Sequence, residues 1–483
     1  MPDVVLIQPP IREFYLTRKR TIPYGLASIA ASIEQQGFSC IIIDALARDK
    51  TKDLDLPDEF KYLTPYFGKQ DISMFSLFHK FRHFGYSFEH IGALVKKARP
   101  FLVGISSLFT PYANEALQTA HAVKQFYPDA FVVLGGHHPT HFPKETLEHK
   151  SVDFVLRGEG ERSMAILASQ LKNKLPSDTL DISKIKNVPG IAFEIDNQAH
   201  IAKPDWGTLS NTALPAFDKV DWNYYQRNKK AAIAVVASRG CPFPCSYCAV
   251  SSSSSYAGFR LRPVEKVLDE IKLQSKDKDI GFIDFEDENL TLKKAWILDL
   301  LDGIKMIFKG KTPELRAMNG LYPPSLDFDI LSAMKEAGFK ALNLSVGSFS
   351  SSQLKQFKRP DVRKDYDRVL DMASKLDMEC VSYILGAAPG QTAKSSLEDL
   401  LMLAQRRTLV GFSVFYPAPG SLDYARCKKE MILPDSFSSM RSTCLPVDHT
   451  TSRTQAATLM RLARVINYLK SNIDKYGALP KPF

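Results

Sequence analysis

Short apolar runs alternate with amphipathic stretches along most of the chain. Val4 to Ile7 is an apolar run ending at Gln8-Pro-Pro10, Pro23 to Gln36 has helical spacing and stops at Gly37, and Ser39 to Asp44 reads as a second strand. After an insertion at about 49–90 the pattern resumes. It gives strands over Leu102 to Ser106, Phe131 to Leu134 and Phe154 to Leu156, with helices over Ala113 to Phe126 and Glu161 to Leu171. Such alternation predicts an α/β first domain over 1–180, a doubly wound parallel sheet of Rossmann or flavodoxin type. Ligands of such sheets bind beyond the carboxyl ends of the strands. Residues 181–227 read as a linker, in which Ile191 to Ile195 and Ala199 to Ala202 flank a hairpin turn at Asp196-Asn197.

From residue 228 to about 430 six further alternations are legible. The strands are Ala231 to Ala237, Ile280 to Phe285, Glu314 to Ala317, Ala341 to Ser345, Glu379 to Leu385 and Gly411 to Phe415. Between them run helices over Pro263 to Leu273, Lys293 to Lys309, Leu326 to Ala337, Lys364 to Lys375 and Ala393 to Gln405, with Gly338 placed as a C-cap. Pro417-Ala-Pro-Gly420 breaks the pattern, and 431–483 reads as a C-terminal extension with a helix over Gln455 to Lys470.

At 483 residues the chain has room for two or three domains, and 45% hydrophobic with 24% charged residues is a globular composition. The apolar runs are strand-length, far short of the roughly 20 residues that cross a bilayer, so no transmembrane segment is expected. Met-Pro-Asp leads directly into a strand without an export signal, and a cytoplasmic location is expected. The net charge of +10 arises from scattered residues. Its densest groups, Arg18-Lys-Arg20 and Arg227-Asn-Lys-Lys230, match no nucleic-acid module, so solvated surface is the expectation and nucleic acid is not expected as a partner. The insertion carries Phe60, Tyr62, Tyr66, Phe67, Phe75, Phe78 and Phe81, read as a satellite core rather than a pocket cover.

Cysteine usage changes the picture most. Three of seven cysteines lie in Cys241-Pro-Phe-Pro-Cys245-Ser-Tyr-Cys248, after Ser238-Arg-Gly240. That is a metal pattern rather than a disulfide framework, and Cys40, Cys380, Cys427 and Cys444 read as ordinary thiols. An iron-sulfur cube needs four thiolates to close all its irons, so three with no fourth nearby leave one iron open. A zinc site would want a fourth ligand, and no histidine or further cysteine stands close in sequence.

The Cys-x3-Cys-x2-Cys loop, with an aromatic before the last cysteine, resembles the cluster loop of the radical S-adenosylmethionine (SAM) superfamily. The resemblance implies a partial (β/α)6 barrel over 228–430, a [4Fe-4S] cluster on Cys241, Cys245 and Cys248, and SAM beside Tyr247. Phe285-Glu-Asp-Glu-Asn-Leu-Thr291 resembles the acidic stretch near the SAM amino group, with Asp287 and Glu288 the best matches; a carboxylate facing an ammonium is chemically sensible. Gly386-Ala-Ala-Pro-Gly-Gln-Thr392 resembles the family's glycine-proline turn, which puts Gly386 and Pro389 beside the ligand and Val414 against adenine. Ser345-Val-Gly-Ser348 departs from the family's Gly-Val-Glu-Ser, leaving Ser348 or Asn343 to replace the glutamate. Lys358-Arg359 resembles a basic pair that approaches the SAM carboxylate, or is an exposed pair.

The first domain carries Ser106-Ser-Leu108, Gly135-Gly-His-His-Pro-Thr140 and Arg157-Gly-Glu-Gly-Glu161. These resemble the cobalamin-binding domain fused ahead of radical SAM domains, and the resemblance places Ser106, Leu108, Gly135, Gly136, His137 and Gly158 around cobalamin. Pro9 to Gly25 contains no histidine, so no protein ligand to cobalt is expected. Arg441, His449 and Arg453 are candidates for substrate contact. The implied activity is cleavage of SAM to a 5′-deoxyadenosyl radical for cobalamin-dependent methyl transfer to an unactivated carbon. The alternatives are cyclisation or rearrangement without methylation, or a cobalamin-free enzyme whose first domain is a scaffold. Implied partners are a small-molecule, lipid or tetrapyrrole-like substrate and an electron donor of flavodoxin or ferredoxin type.

Overall fold

The structure is a computed structural model, and it describes all residues except 15–20, 68–72, 74, 79, 211, 253–257 and 478–483. The basic group at 18–20 lies outside the described residues, as does the side chain of Phe67. Two compact units result: Met1–Leu56 with Lys80–Gln226, and Pro57–His79 with Arg227–Phe483.

The first unit is built on seven strands. In chain order its main elements are β1 (Val4–Gln8), α1 (Tyr24–Gln35), β2 (Cys40–Asp44), α2 (Phe88–Ala98), β3 (Leu102–Ser106), α3 (Ala113–Phe126), β4 (Phe131–Gly135), β5 (Phe154–Leu156), α4 (Gly160–Leu171), β6 (Ile191–Ile195) and β7 (Gln198–Ile201). The sheet order is β7-β6-β5-β4-β3-β1-β2, parallel from β2 to β5. Val4 and Leu6 pack with Leu26 of α1 and Leu167 of α4, while Val5 and Ile7 pack with Val95 of α2 and Val123 of α3. Both faces are buried, which is why these strands read as unbroken apolar runs. The strand order reverses between β1 and β3, and a cleft opens there.

Residues 181–227 are not a connector. Asp196 and Asn197 adopt φ of 50° and 60°, the left-handed pair of a tight hairpin, and β6 adds antiparallel to β5. Phe217, Val220 and Tyr225 then pack against Ala27 of α1. The insertion likewise divides. Thr51–Asp53 and Arg82–Phe84 pair with each other, and Ile11–Glu13 joins them in a small sheet of the first unit. Pro57–His79 instead belongs to the second unit, where Phe60 and Leu63 are fully buried and the Tyr62 hydroxyl donates to the Cys444 carbonyl at 2.6 Å. The expected satellite core is therefore shared out between two larger ones.

The second unit alternates β8 (Lys230–Val235), α5 (Val264–Ser275), β9 (Ile280–Phe285), α6 (Lys294–Ile307), β10 (Glu314–Arg316), α7 (Phe328–Ala337), β11 (Ala341–Gly347), α8 (Arg363–Lys375), β12 (Glu379–Gly386), α9 (Ala393–Ala404) and β13 (Leu409–Val414). Helices α10 (Leu422–Lys429) and α11 (Arg453–Tyr476) follow. Strands β8 to β10 and β11 to β13 form parallel sets, joined by isolated parallel bridges Leu315 to Phe339 and Leu321 to Leu344. The result is six parallel strands in chain order. Ile233, Ile283, Leu342 and Leu344 are buried under the helices. Asp284, Arg316, Asn343 and Tyr383 alternate with those apolar positions and form the polar layer of the other face. The Tyr383 ring lies over Gly411, where a Cβ would fall 2.3 Å from it.

Helix α11 runs a turn and a half beyond its expected end, from a capping box of Ser452 and Gln455 to Gly477 at φ 68°. Its Asn467 side chain bonds both the amide and the carbonyl of Val410, at 2.7 and 2.8 Å. Lys470 donates to the carbonyls of Leu403, Arg406 and Thr408, each at 2.6 Å. No helix among the described residues is long and apolar enough to cross a membrane.

Candidate active site

The three-cysteine loop follows β8 through Ser238–Arg239, a short strand paired with Arg260–Leu261. All seven cysteines are free; Cys245 is buried, and Cys241 and Cys248 are half-buried. Among the described residues no three His, Cys, Asp or Glu side chains converge as a single metal ion requires. A four-iron cube carries its thiolates on separate corners and asks for a wider triangle. Side-chain donors point at the sulfurs: Asn289 Nδ2 lies 3.7 Å from Cys241 Sγ, and Arg359 Nη1 lies 3.7 Å from Cys245 Sγ. The residues present therefore fit a cluster.

The loop is clamped at Ser246, whose amide donates to Phe357 O at 2.8 Å and whose hydroxyl donates to Asp423 Oδ2 at 2.8 Å. Asp423, in the first turn of α10, returns a bond from its own amide to Ser246 O. Arg426 of the same helix donates to Pro389 O at 3.0 Å, so α10 ties the cysteine loop to the turn after β12. Tyr247 packs edge-on against Phe357 and takes a bond from Arg359 at 3.1 Å.

The acidic stretch after β9 divides its roles. Both Asp287 oxygens are engaged, by the Ser238 hydroxyl at 2.5 Å and the Ala237 amide at 3.2 Å, and burial pushes its pKa up to about 7. Asp287 thus holds the end of β8. Glu288 is half-buried, accepts from the Gly240 amide at 3.2 Å and is also raised by burial, with Arg239 and Arg260 acting against that. In the turn after β12, Gly386 lies under the Phe412 ring, where a Cβ would meet it at 2.2 Å. Pro389 and Val414 are buried, and the Val414 carbonyl accepts from Ser442. Ser348 is committed to Asp399 at 2.7 Å, and Asn343 accepts from Tyr383 at 3.0 Å.

In the first unit the cleft at the switch point holds about 500 Å³ of open space. It is lined by Gln8, Pro9 and Pro10 after β1, Leu46 after β2, and Ser106 to Phe109 and Tyr112 after β3. Leu108 and Phe109 are exposed apolar side chains on its rim, and the Ser107 hydroxyl is buried without a partner. A Cβ on Gly135 would make only ordinary van der Waals contact, 3.6 Å from Leu156 O, so the backbone there tolerates a small side chain. A buried hydroxyl without a partner in a cleft at the carboxyl ends of the strands suits a bulky polar ligand such as cobalamin. Gly136 differs: at φ 119° its Cβ would strike Ser107 O at 2.6 Å, because the two loops hydrogen-bond each other. Gly158 is required by the Asp205 carbonyl, 2.1 Å from a Cβ at that position, which gives it a packing role within the fold. His137 is exposed, while His138 is buried against Phe142 and Thr110 and pushed down to about 4 by burial.

The three C-terminal candidates have other partners. The Arg441 guanidinium lies over the Phe60 ring at 5.3 Å and that of Arg453 over Tyr62 at 4.5 Å, so both support the segment 57–78. His449 is exposed and bonds Thr450 at 2.9 Å. Asn289, Ser246 and Asp423 escaped the sequence reading; Asn289 stood within the quoted acidic stretch, which was its only signal.

Comparison with known proteins agrees with this geometry. The B12 binding domain family matches residues 59–168, and the Radical SAM superfamily matches residues 235–403. The chain is similar to an uncharacterized methyltransferase of Pyrococcus horikoshii, 25% identical over 97% of this chain and 93% of that protein. It is also similar to an anaerobic magnesium-protoporphyrin IX monomethyl ester cyclase of Rubrivivax gelatinosus, 29% identical over 53% of this chain but 45% of the cyclase. In fold it resembles the radical SAM methyltransferase TsrM of Kitasatospora setae, solved with cobalamin and a [4Fe-4S] cluster, with a TM-score of 0.63 at 17% identity over 89% of this chain and 78% of that one. A B12-binding domain followed in one chain by a radical SAM domain makes this protein a member of the cobalamin-binding-domain radical SAM enzyme family.

Proposed function

We propose that the protein is a cobalamin-dependent radical SAM methyltransferase acting on an unactivated carbon of a small molecule, with one electron drawn from a flavodoxin- or ferredoxin-type donor in the cytoplasm. The observation that carries cobalamin into this reading is the cleft between β1 and β3, whose lining includes a buried Ser107 hydroxyl without a partner. When bound, the cluster supplies the electron that splits SAM into methionine and a 5′-deoxyadenosyl radical, and cobalamin supplies the methyl group.

The chain's own residues hold and orient. Cys241, Cys245 and Cys248 hold the cluster, and Asn289 and Arg359 fix two of those sulfurs. Glu288 takes the SAM amino group, since both Asp287 oxygens are already bonded within the fold. Gly386, Pro389 and Val414 close an apolar wall that excludes water. Ser106, Leu108 and Gly135 line the cobalamin side, with Gly136 holding that loop and His137 at its edge.

The test is cobalt retained per chain after anaerobic loading with hydroxocobalamin and gel filtration. Retention with a base-off spectrum is expected, and no retained cobalt would leave a radical SAM enzyme with a scaffold domain. Cyclisation without methylation is the second reading, favoured by the cyclase relative. Product mass separates the two: methyl transfer adds one methylene unit, and cyclisation adds none.

A further inference from the structure

Strand β11 ends at Gly347, which stands where the resemblance puts a glutamate. Its φ is 85°, and a Cβ there would fall 2.7 Å from Arg359 Cδ and 2.9 Å from Arg359 Nε. The stem of Arg359 occupies that space. Its guanidinium is then fixed by backbone: Nε donates to Val346 O at 3.1 Å, and Nη2 donates to Ser345 O at 2.5 Å and Ser345 Oγ at 3.1 Å. Only Nη1 remains, and it faces the Tyr247 hydroxyl at 3.1 Å and Cys245 Sγ at 3.7 Å. A planar fork held at two corners cannot swing away from the third. Asn289, buried to 5% exposure, donates to Cys241 at the same 3.7 Å.

We infer that Arg359 and Asn289 are positioning residues that set the reduction potential of the cluster by donating to two of its three thiolates, Arg359 with a full positive charge. Reduction adds one negative charge to the cluster. A cation and two N–H donors at the sulfurs stabilise the more negative form and raise the potential. The missing side chain at 347 is what admits the cation. This inference rests on the proposed reading of the three cysteines as cluster ligands.

The test is a potentiometric titration of the reconstituted full-length protein without SAM, followed by the electron paramagnetic resonance of the reduced cluster. Arg359→Gln is expected to lower the potential by about 59 mV or more, which is a tenfold change in the reduced-to-oxidised ratio for one electron. Arg359→Lys, keeping charge without the fork, should fall between, and Asn289→Ala should shift less in the same direction. Gly347→Ala should also lower the potential, because it displaces the guanidinium while leaving Arg359 in the chain; it keeps the test decisive if Arg359→Gln holds no cluster. An unchanged potential in Arg359→Gln and Gly347→Ala, with only SAM affinity reduced, would make Arg359 a SAM ligand and overturn the inference. Wild-type protein that takes up no cluster would overturn the functional reading instead.

Discussion

The cleft of the first unit and the cysteine loop of the second are built from different material. The cleft is lined largely by small or apolar side chains: prolines after β1, Leu46 after β2, and serines with Leu108 and Phe109 at the end of β3. The cysteine loop is made of side chains whose partners arrive from distant segments: Arg359 from 114 residues away, Asn289 from 48, and Asp423 from 177. A large cofactor with many weak contacts needs room and a shaped surface. A redox centre needs fixed charge at fixed distance, which only side chains supply.

The contrast predicts all-or-none behaviour at the loop. Replacing Cys241, Cys245 or Cys248 singly by alanine should abolish both cluster iron and deoxyadenosine formation. A single variant that kept its cluster would break the comparison at its centre. The next effect concerns charge near the first cleft. Asp44, at the end of β2, is bonded by the Tyr225 phenol and the Leu46 amide, both neutral, and burial pushes it up to about 6 from its ordinary 3.8. A raised carboxyl pKa contributes stability that is fully present below about pH 4 and is lost as pH rises through about 6. Asp44→Asn should remove that slope, worth up to about 3 kcal/mol between pH 4 and 7 in urea melts. An unaltered slope would mean that the first unit accommodates charge as readily as the second.

The smallest effect separates two adjacent glycines. Gly136→Ala should destabilise the first unit by about 1–3 kcal/mol through its left-handed backbone and the clash with Ser107 O. Gly135→Ala should change stability by less than about 0.5 kcal/mol, since its Cβ would make only ordinary contact 3.6 Å from Leu156 O, yet reduce cobalt retention if that strand end faces the cofactor as proposed. Equal losses of stability in both would show that the cleft is ordinary packing.

The sequence displays the cysteine loop and the order of strands because both are local: a spacing of eight residues, and apolar runs separated by turns. It does not display Arg359 as a neighbour of Cys245, because that contact depends on the empty side-chain position at Gly347 and on two carbonyls of β11. Gly158 misleads for a related reason. A glycine at a strand end looks like access for a ligand, whereas Asp205 supplies the close approach from 47 residues further on. The hairpin of β6 and β7 was legible as a hairpin, but a strand that joins a parallel sheet antiparallel at its edge breaks the alternation by which the domain was delimited. The aromatics at 57–78 announce burial without saying in which core.

The last strand of a barrel left incomplete exposes a row of amides and carbonyls that invites another chain to pair. On β13, the outward amide and carbonyl of Val410 are both taken by the carboxamide of Asn467, which mimics one peptide unit of a neighbouring strand. Helix α11 therefore guards the protein against edge-to-edge aggregation, and a truncation that spared every residue of the site but removed this helix would yield a chain prone to self-association.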